Sequence, residues 1–288
     1  MINRFRNNRK IINLFYKLYS FRQKIIHSIK LESYERFDAK EIDASKDYCF
    51  IFGSGASVNR LESNNFDFIK ENFSIGINQW FFHDFVTDLY FFEAGHNNDN
   101  NRQVEKVLDV VNDRREELSG SKIILPFESL WIIDRLRDID NSSKLDYSYY
   151  SVLPFLFKDL SLLSGSIDFL RNSIFKYELK DLIFGSGSSV LRAVILAEWL
   201  GYKNIVLMGI DLGGEYFYEE NSEYLKKWKI DSFSSNQENI EHLTESDMKT
   251  FKLSEILEEL QNSYSFDARL LVPHSDSALS IFCDDLGW

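Results

Sequence analysis

Two short loops rich in glycine and serine have the composition of a nucleotide-binding turn. Gly53-Ser54-Gly55-Ala56-Ser57 follows an apolar run, and Gly185-Ser186-Gly187-Ser188-Ser189 opens an apolar helical pattern. Glycines permit a tight turn, and the N–H groups at the start of a helix bind anions. The first loop lacks the Walker lysine and the third glycine of a dinucleotide fingerprint, so an ordinary tight turn is its alternative interpretation.

Two further segments follow apolar runs. Asn78 ends the run Phe73–Ile77, and its amide can both donate to and accept from a base or a sugar; capping of the next turn is the alternative. Gly209-Ile210-Asp211 ends another run, and a stretch with Tyr216, Tyr218 and Tyr224 comes after it.

The elements that must position these residues are predicted from hydrophobic periodicity. Helical patterns separate several short apolar runs, and this alternation predicts an α/β fold with a mostly parallel seven-stranded sheet covered on both faces. Ligands of such sheets bind beyond the carboxyl ends of the strands. The predicted strands are Tyr48–Phe52, Phe73–Ile77, Asp88–Phe92, Lys122–Leu125, Leu182–Phe184, Asn204–Met208 and Arg269–Val272, and the predicted helices include Asn101–Leu118, Ser189–Leu200 and Asp247–Gln261. The stretches Asp138–Lys158 and Asp211–Glu241 do not fit this pattern.

Composition places the chain among globular proteins. Its 288 residues, 44% of them hydrophobic, suffice for one large α/β domain with an appendage. Cys49 and Cys283 lie far apart inside apolar runs, which disfavours a disulfide framework or a zinc knuckle and favours a reducing, cytoplasmic setting. We expect neither a membrane-spanning segment nor a secretory signal.

The first 30 residues differ from the rest in charge. They contain eight basic residues and no acidic one, so the net charge of −12 for the chain leaves about −20 on the remainder. We therefore do not expect the body to bind nucleic acid. The segment predicts an amphipathic helix that holds the protein at an anionic membrane surface, at the inner face of the cytoplasmic membrane; packing on the protein's own acidic body is the alternative. Its apolar positions are Ile11, Leu14, Phe15, Leu18, Phe21, Ile25 and Ile29.

Five segments in order resemble the motifs of the bacterial sialyltransferases of glycosyltransferase family 42. They are GSGAS from residue 53, IGINQ from 75, SSVLRAVILAEWLGYKNIVLMGIDLGG from 188, HLTESDMK from 242 and VPHSDSAL from 272. Order and spacing agree over roughly residues 47–282, and the first 45 residues lie outside the resemblance.

The resemblance implies a single Rossmann-like domain over residues 46–288, with residues 1–45 as a separate basic helical segment and a lid at about 212–246. It also implies the transfer of a CMP-activated acidic sugar to a saccharide acceptor, without a metal or another cofactor. Sialic acid, a related nonulosonate or Kdo are the candidate donor sugars. A lipid-linked acceptor, as in lipopolysaccharide or capsule biosynthesis, would agree with the basic helix.

Site residues can be carried over by position. The resemblance implies that Gly53, Ser54, Gly55, Ser57 and Asn78 lie along CMP, and that Ser188 and Ser189 lie beside the donor. His242 matches the general base, and a histidine pKa near about 6.5 suits proton transfer near neutral pH. Tyr216 and Tyr218 are the nearest matches to tyrosines that stabilise the departing phosphate, with Tyr224 as a third candidate; packing within the lid is the alternative for both.

Several residues depart from the family pattern or stay ambiguous. Glu93 stands where the family has an amide, and a carboxylate would meet an anionic donor unfavourably unless it is protonated or paired. His96 is a second acid–base candidate or a solvated loop residue, His83 is expected to be structural, and His274 and Ser275 are secondary site candidates. Asp138-Ile139-Asp140 spells a metal-binding DxD, but it follows a helical pattern, Ser129–Arg137, and we expect no metal there.

Two other functions compete with this interpretation. A pterin pyrophosphokinase-like enzyme has a distant resemblance to the same glycine-rich block, but it needs a set of magnesium-binding carboxylates that the sequence does not reveal. The other is a non-catalytic module that binds a nucleotide sugar.

Overall fold

The computed structural model is an α/β protein with short helices and strands in alternation. It describes residues 9–30, 34–93, 98–139, 145–153, 157, 159–177, 182–184, 188–230, 251–263 and 265–288. The helices are α1 (Arg9–Lys30), α2 (Ser63–Lys70), α3 (Asn98–Asp113), α4 (Leu130–Ile139), α5 (Leu163–Tyr177), α6 (Ser189–Leu200), α7 (Phe217–Glu220), α8 (Ser222–Trp228) and α9 (Leu253–Gln261). The strands are β1 (Tyr48–Phe52), β2 (Phe73–Ile77), β3 (Leu89–Phe91), β4 (Lys122–Pro126), β5 (Asp146–Leu153), β6 (Leu182–Phe184), β7 (Asn204–Met208), β8 (Arg269–Val272) and β9 (Asp284–Asp285).

The strands form one sheet in the order β6-β5-β4-β3-β2-β1-β7-β8-β9. Every pairing between the described strands is parallel. The predicted α/β class is therefore confirmed, and each of the seven predicted strands is present. Strands buried on both faces read as continuous apolar runs, which is why the periodicity located them.

Two strands were not predicted. β9 has only two residues, and β5 lies in the stretch Asp138–Lys158 that did not fit the pattern. The sequence of β5 is rich in serine and tyrosine, yet Ser148 and Ser151 are buried along with Tyr149 and Tyr150. Burial within the sheet thus overrides the polar composition of this segment.

The order of the strands reverses between β1 and β7. From β1 the chain proceeds outward through β2 to β6, and it then returns to place β7 on the other side of β1. The loops after β1 and β7 therefore leave the same edge and diverge, which is the position where open α/β sheets bind ligands.

Helix α1 lies against the body of the protein through a face that was not predicted. Ile12 and Tyr16 are buried in the core, and the Tyr19 hydroxyl donates to the Val152 carbonyl of β5 over 3.2 Å. The predicted apolar face points outward instead. Its members Leu14, Phe15, Leu18 and Phe21 are 55%, 57%, 57% and 63% exposed. No helix in the described part of the chain is both long and apolar enough to cross a bilayer.

The segment after α1 is joined to the sheet. Arg36 forms a parallel bridge with Tyr149 of β5. The backbone N–H of Phe37 donates to the Tyr149 carbonyl over 2.8 Å, and the Tyr149 N–H donates to the Glu35 carbonyl over 2.9 Å. Strand β6 pairs only with Ser151–Leu153, so residues 35–37 cover the earlier part of the β5 edge.

His83 is structural, as the sequence suggested. Its ring stacks on Trp80 with 4.2 Å between centroids, lies 5.3 Å from the ring of Phe217, and accepts at Nδ1 from the Phe85 N–H over 3.0 Å. Burial lowers the pKa of His83 from 6.5 to about 4. The ring is therefore neutral at neutral pH, and it connects the segment after β2 with α7.

This burial predicts a loss of stability in weak acid. Unfolded His83 takes up a proton below about pH 6.5 while the folded form resists until about pH 4, so its contribution is complete above pH 6.5 and is lost as the pH falls towards 4. Between pH 7 and pH 5 the loss amounts to about 2 kcal/mol. In urea unfolding, the free energy of unfolding should fall between pH 7 and pH 5 in the wild type. In His83→Gln this fall should be smaller by about 2 kcal/mol. An equal pH dependence in both proteins would contradict the assignment.

Candidate functional site

The turn after β1 is closed by the loop after β7. The N–H of Gly53 donates to the Met208 carbonyl over 2.8 Å, and the N–H of Gly55 donates to the Gly209 carbonyl over 2.9 Å. Ala56 donates to the Glu215 carbonyl over 3.1 Å. The expectation that these N–H groups approach a phosphate is therefore wrong for this structure, because the neighbouring loop already occupies them.

Asp211 completes this closure and was not assigned a role from the sequence. Its carboxylate accepts the Ser57 N–H over 2.9 Å and the Ser57 hydroxyl over 2.5 Å. Gly55 forms an antiparallel bridge with Tyr216, and the Ser54 carbonyl accepts the Phe217 N–H over 2.9 Å. The turn thus fixes the position at which the predicted lid begins.

A cleft of about 310 Å³ lies beside the turn, at the carboxyl ends of β1, β7 and β8. Four of its lining side chains are carboxylates, namely Asp211, Glu215, Glu220 and Asp276. Arg60 also lines it and pairs with Asp276 over 2.5 Å. The described lining of the cleft is therefore acidic, which suits hydroxyl or amine donors better than phosphate oxygens.

His274 lies in the wall of this cleft, whereas Ser275 is exposed. The His274 Nδ1 is 2.7 Å from the backbone oxygen of Trp288. This oxygen can only accept, so we assign a proton to Nδ1. Nε2 is buried and has no hydrogen-bond partner among the described residues.

Asn78 lies at a second cluster, beyond the ends of β2 and β3. Its φ of 50° places it in the left-handed region, where asparagine is favoured over most residues. The Asn78 side chain accepts the Glu93 N–H over 2.9 Å and donates to the Ser189 hydroxyl over 3.4 Å. The predicted Asn78 and Ser189 therefore lie together, as the shared edge of a parallel sheet requires.

Ser188 begins α6 as its N-cap. Its hydroxyl accepts the Leu191 N–H over 3.4 Å. Gly201 ends the helix in the left-handed conformation with a φ of 102°, so both predicted ends of α6 are confirmed. The positive end of this helix points to the cluster that contains Asn78.

Glu93 is paired, which answers the question raised by the missing amide. Its Oε1 accepts the Tyr150 hydroxyl over 2.6 Å and forms an ion pair with the guanidinium of Arg192 on α6. Burial and Glu93 raise the pKa of Tyr150 well above its usual value. Burial lowers the pKa of Arg192, but Tyr150 and Glu93 raise it more strongly, so this group stays charged.

The lid tyrosines differ in burial. Tyr216 is half-buried, whereas Tyr218 is fully buried and packs edge-on against Phe82 with 5.3 Å between centroids. The Tyr216 and Tyr218 rings stack at 5.2 Å, and burial raises the pKa of both. Tyr224 is half-buried beside His83, at 5.5 Å. Only Tyr216 of the first pair has a side chain partly open to solvent.

Several predicted positions fall outside the described residues. They are His96, Asp140, Gly185, Ser186, Gly187 and His242, together with residues 231–246 of the predicted lid. Asp138 is described and lies in the last turn of α4, which agrees with its predicted place at a helix end. No group of three or more potential metal ligands occurs within the described ranges.

Three residues of these clusters were missed in the sequence. Arg192 is the only charged residue in the first two turns of the apolar α6, and this isolation was a usable signal. Asp211 stands in a recognised motif, and only its contact with Ser57, 154 positions away, reveals its role. Tyr150 could not be found, because β5 was not predicted.

The parallel sheet, with its reversal of strand order between β1 and β7, defines a Rossmann-like α/β protein. The candidate site residues gather at the carboxyl edge of this sheet, around that reversal.

Solved structures of sialyltransferases resemble the chain over most of its length. The monofunctional α-2,3-sialyltransferase Cst-I from Campylobacter jejuni has a TM-score of 0.45 and 17% identity, with 85% of this chain and 82% of that chain covered. CST-II in complex with a trisaccharide acceptor and CMP has a TM-score of 0.41 and 14% identity, covering 83% and 85%. CstII from Campylobacter jejuni in complex with CMP-3FNeuAc has a TM-score of 0.40 and 13% identity, covering 83% and 84%.

No family model and no curated protein sequence matches the chain. The similarities to the solved structures are distant.

The closed turn predicts that Gly55 cannot accept a side chain. A Cβ at Gly55 would lie 2.3 Å from the Asp211 Oδ2 and 2.8 Å from the Gly209 carbonyl oxygen. Its φ of −70° suits alanine, so the effect of Gly55→Ala is purely steric. We expect a loss of about 1–3 kcal/mol in urea unfolding. The matched control is Gly120→Ala, because a Cβ there meets nothing within 4 Å. Equal stabilities of the two variants would contradict the close approach.

Proposed function

We propose that the protein is a glycosyltransferase that transfers a CMP-activated acidic sugar to a saccharide acceptor. The observation that supports this most directly is the 3.4 Å contact between Asn78 and the Ser189 hydroxyl. It joins the end of β2 to the first turn of α6, two segments that the motif resemblance assigns to the donor. Polar side chains at a helix start beside a switch point suit the phosphate and ribose of a nucleotide.

In the proposed reaction His242 accepts the proton of an acceptor hydroxyl. The oxygen attacks the anomeric carbon of the donor sugar, the bond from that carbon to the phosphate oxygen breaks, and CMP leaves. Tyrosine hydroxyls donate hydrogen bonds to the departing phosphate, so no metal is required. Tyr216 is better placed for this role than Tyr218, because Tyr216 is half-buried beside Gly55 whereas Tyr218 lies in the core.

The acceptor is proposed to bind in the acidic cleft beside the turn. Asp211, Glu215 and Glu220 line this cleft and offer carboxylate oxygens to sugar hydroxyls. The cleft lies on the β7 and β8 side of the turn, whereas the Asn78 cluster lies on the β2 side. Donor and acceptor would then approach each other across the turn.

The nucleotide that the protein binds tests this proposal. We expect CMP to raise the melting temperature with and without magnesium, because ligand at 100 times its Kd adds about 2.7 kcal/mol to the stability of the folded state. CDP, UDP, GDP and ATP serve as comparisons in the same thermal-shift screen. Stabilisation by ATP with magnesium alone would contradict the proposal and would favour the pyrophosphokinase-like alternative.

The role of His242 is tested by transfer itself. Transfer from CMP-N-acetylneuraminate and CMP-Kdo to a panel of di- and trisaccharides should fall by about 10²–10⁴-fold in His242→Ala. The thermal shift with CMP should remain, since a base is not needed for binding. A wild type that binds CMP without any transfer would instead favour the non-catalytic module.

We further propose that α1 holds the protein on an anionic lipid bilayer, at the inner face of the cytoplasmic membrane. Its outward stripe of Leu14, Leu18 and Phe21 lies on the side of the helix opposite the buried Ile12 and Tyr16. Lys17 and Arg22 are exposed on the same helix. Apolar side chains can enter the headgroup boundary, while each basic residue near the surface adds about 1 kcal/mol.

The charge of the segment that contains α1 suits an anionic membrane as the occupant of this stripe. The first 30 residues carry +8 against about −20 for the remainder, and a bilayer of anionic lipid complements the former. The inner face of α1 already contacts the body, so the stripe stays outward without any rearrangement.

Sedimentation with lipid vesicles tests the membrane proposal. We expect binding to equimolar phosphatidylcholine and phosphatidylglycerol, little binding to phosphatidylcholine alone, and release when salt rises from about 0.1 M to about 1 M. The variant Leu18→Ser/Phe21→Ser should bind at least about tenfold more weakly. Ile281→Ser is the matched control, since Ile281 is 88% exposed and lies outside α1. Unchanged vesicle binding by the double variant would contradict the proposal. A wild-type dimer in light scattering that becomes a monomer in the double variant would also contradict it.

A further inference from the structure

Asn78, Glu93, Arg192 and Ser189 form a closed ring of contacts at the carboxyl edge of the sheet. Ser189 contacts the Asn78 amide, Asn78 accepts the Glu93 N–H, and Glu93 pairs with Arg192, which lies on the same helix as Ser189. The ring thus joins the ends of β2 and β3 to the first turns of α6.

Arg192 is costly to keep at this position. It is only 8% exposed, and it lies one turn after the N-cap Ser188, where the helix dipole disfavours a positive charge. Replacing a buried ion pair by apolar residues is often neutral for stability or stabilising. Stability alone therefore does not explain why Arg192 and Glu93 occupy these positions. A positive group at the positive end of a helix is, however, what an anionic ligand favours.

A buried donor of Arg192 has no acceptor among the described residues. Its Nη1 binds Glu93 and lies 3.5 Å from the Tyr150 hydroxyl. Its Nε is buried and has no partner among the described residues. A buried charged donor without an acceptor is strongly unfavourable, and an anionic oxygen of a ligand would satisfy it.

We propose that Arg192 binds the carboxylate of the donor's acidic sugar, with Glu93 and Tyr150 as positioning residues that hold its guanidinium. Arg192 and Ser188 are four residues apart and lie on the same side of α6, so the guanidinium extends towards the N-terminus of the helix. The ion pair keeps the unliganded site neutral, and the carboxylate then meets both the guanidinium and the helix N–H groups. This inference rests on the proposed function, because it specifies the acid group of its donor.

The preference for acid over ester tests this inference. The probes are CMP, CMP-3-fluoro-N-acetylneuraminate and the methyl ester of that analogue, which differs from it only by the loss of the negative charge. We expect the wild type to bind the acid at least about tenfold more tightly than the ester in calorimetry. The double variant Glu93→Gln/Arg192→Gln leaves no unpaired charge and should bind acid and ester equally, with its affinity for CMP unchanged.

An ion pair between α5 and α6 provides the matched control. Arg171 pairs with Glu198 near the other end of α6, and Arg171→Gln/Glu198→Gln should keep the preference for the acid. The inference is overturned if the Glu93→Gln/Arg192→Gln variant still prefers the acid to the ester, or if it loses affinity for CMP and for both analogues alike. It is also overturned if the wild type binds CMP but binds the acid and the ester equally. A wild type that does not bind CMP would instead overturn the proposed function.

Discussion

The contact between the turns after β1 and β7 is the constraint on which the candidate site depends. Gly53 and Gly55 lie so close to Gly209 that side chains are excluded, and Gly209 itself has a φ of 60°. Parallel neighbours whose chains diverge would leave a gap at this edge, and these hydrogen bonds close it. The turn that looked like a phosphate cradle is thus a joint between two loops. It fixes where the tyrosine-bearing segment leaves the sheet.

Charge is arranged differently on the two sides of this joint. On the β2 side, Glu93 and Arg192 neutralise each other beneath the start of α6. On the β7 side, Asp211 and the glutamates of the cleft leave an acidic surface. An anionic group therefore meets less repulsion on the first side than on the second. The sheet edge separates a region of paired charges from a region of excess negative charge.

Local patterns in the sequence predicted the helices and strands better than they predicted the contacts between residues that lie far apart in the chain. The ends of α6 follow from Ser188 and Gly201, and the seven predicted strands follow from their apolar runs, because capping and burial act on neighbouring residues. The Glu93–Arg192 and Ser57–Asp211 contacts join residues 99 and 154 positions apart, so no local pattern contains them. The outward direction of the apolar face of α1 also depends on the body against which its other face lies.

The pairing of residues 35–37 with β5 changes where this protein can be divided. The Tyr149 N–H and carbonyl both bond to this segment, and the next residue, Tyr150, bonds to Glu93. A chain that began at residue 46 would lose those bonds and the buried side chains of α1. It would also expose an open sheet edge, which invites pairing between molecules and aggregation. The described residues 9–30 and 34–45 therefore pack as part of the same folding unit, and a shortened form should keep them.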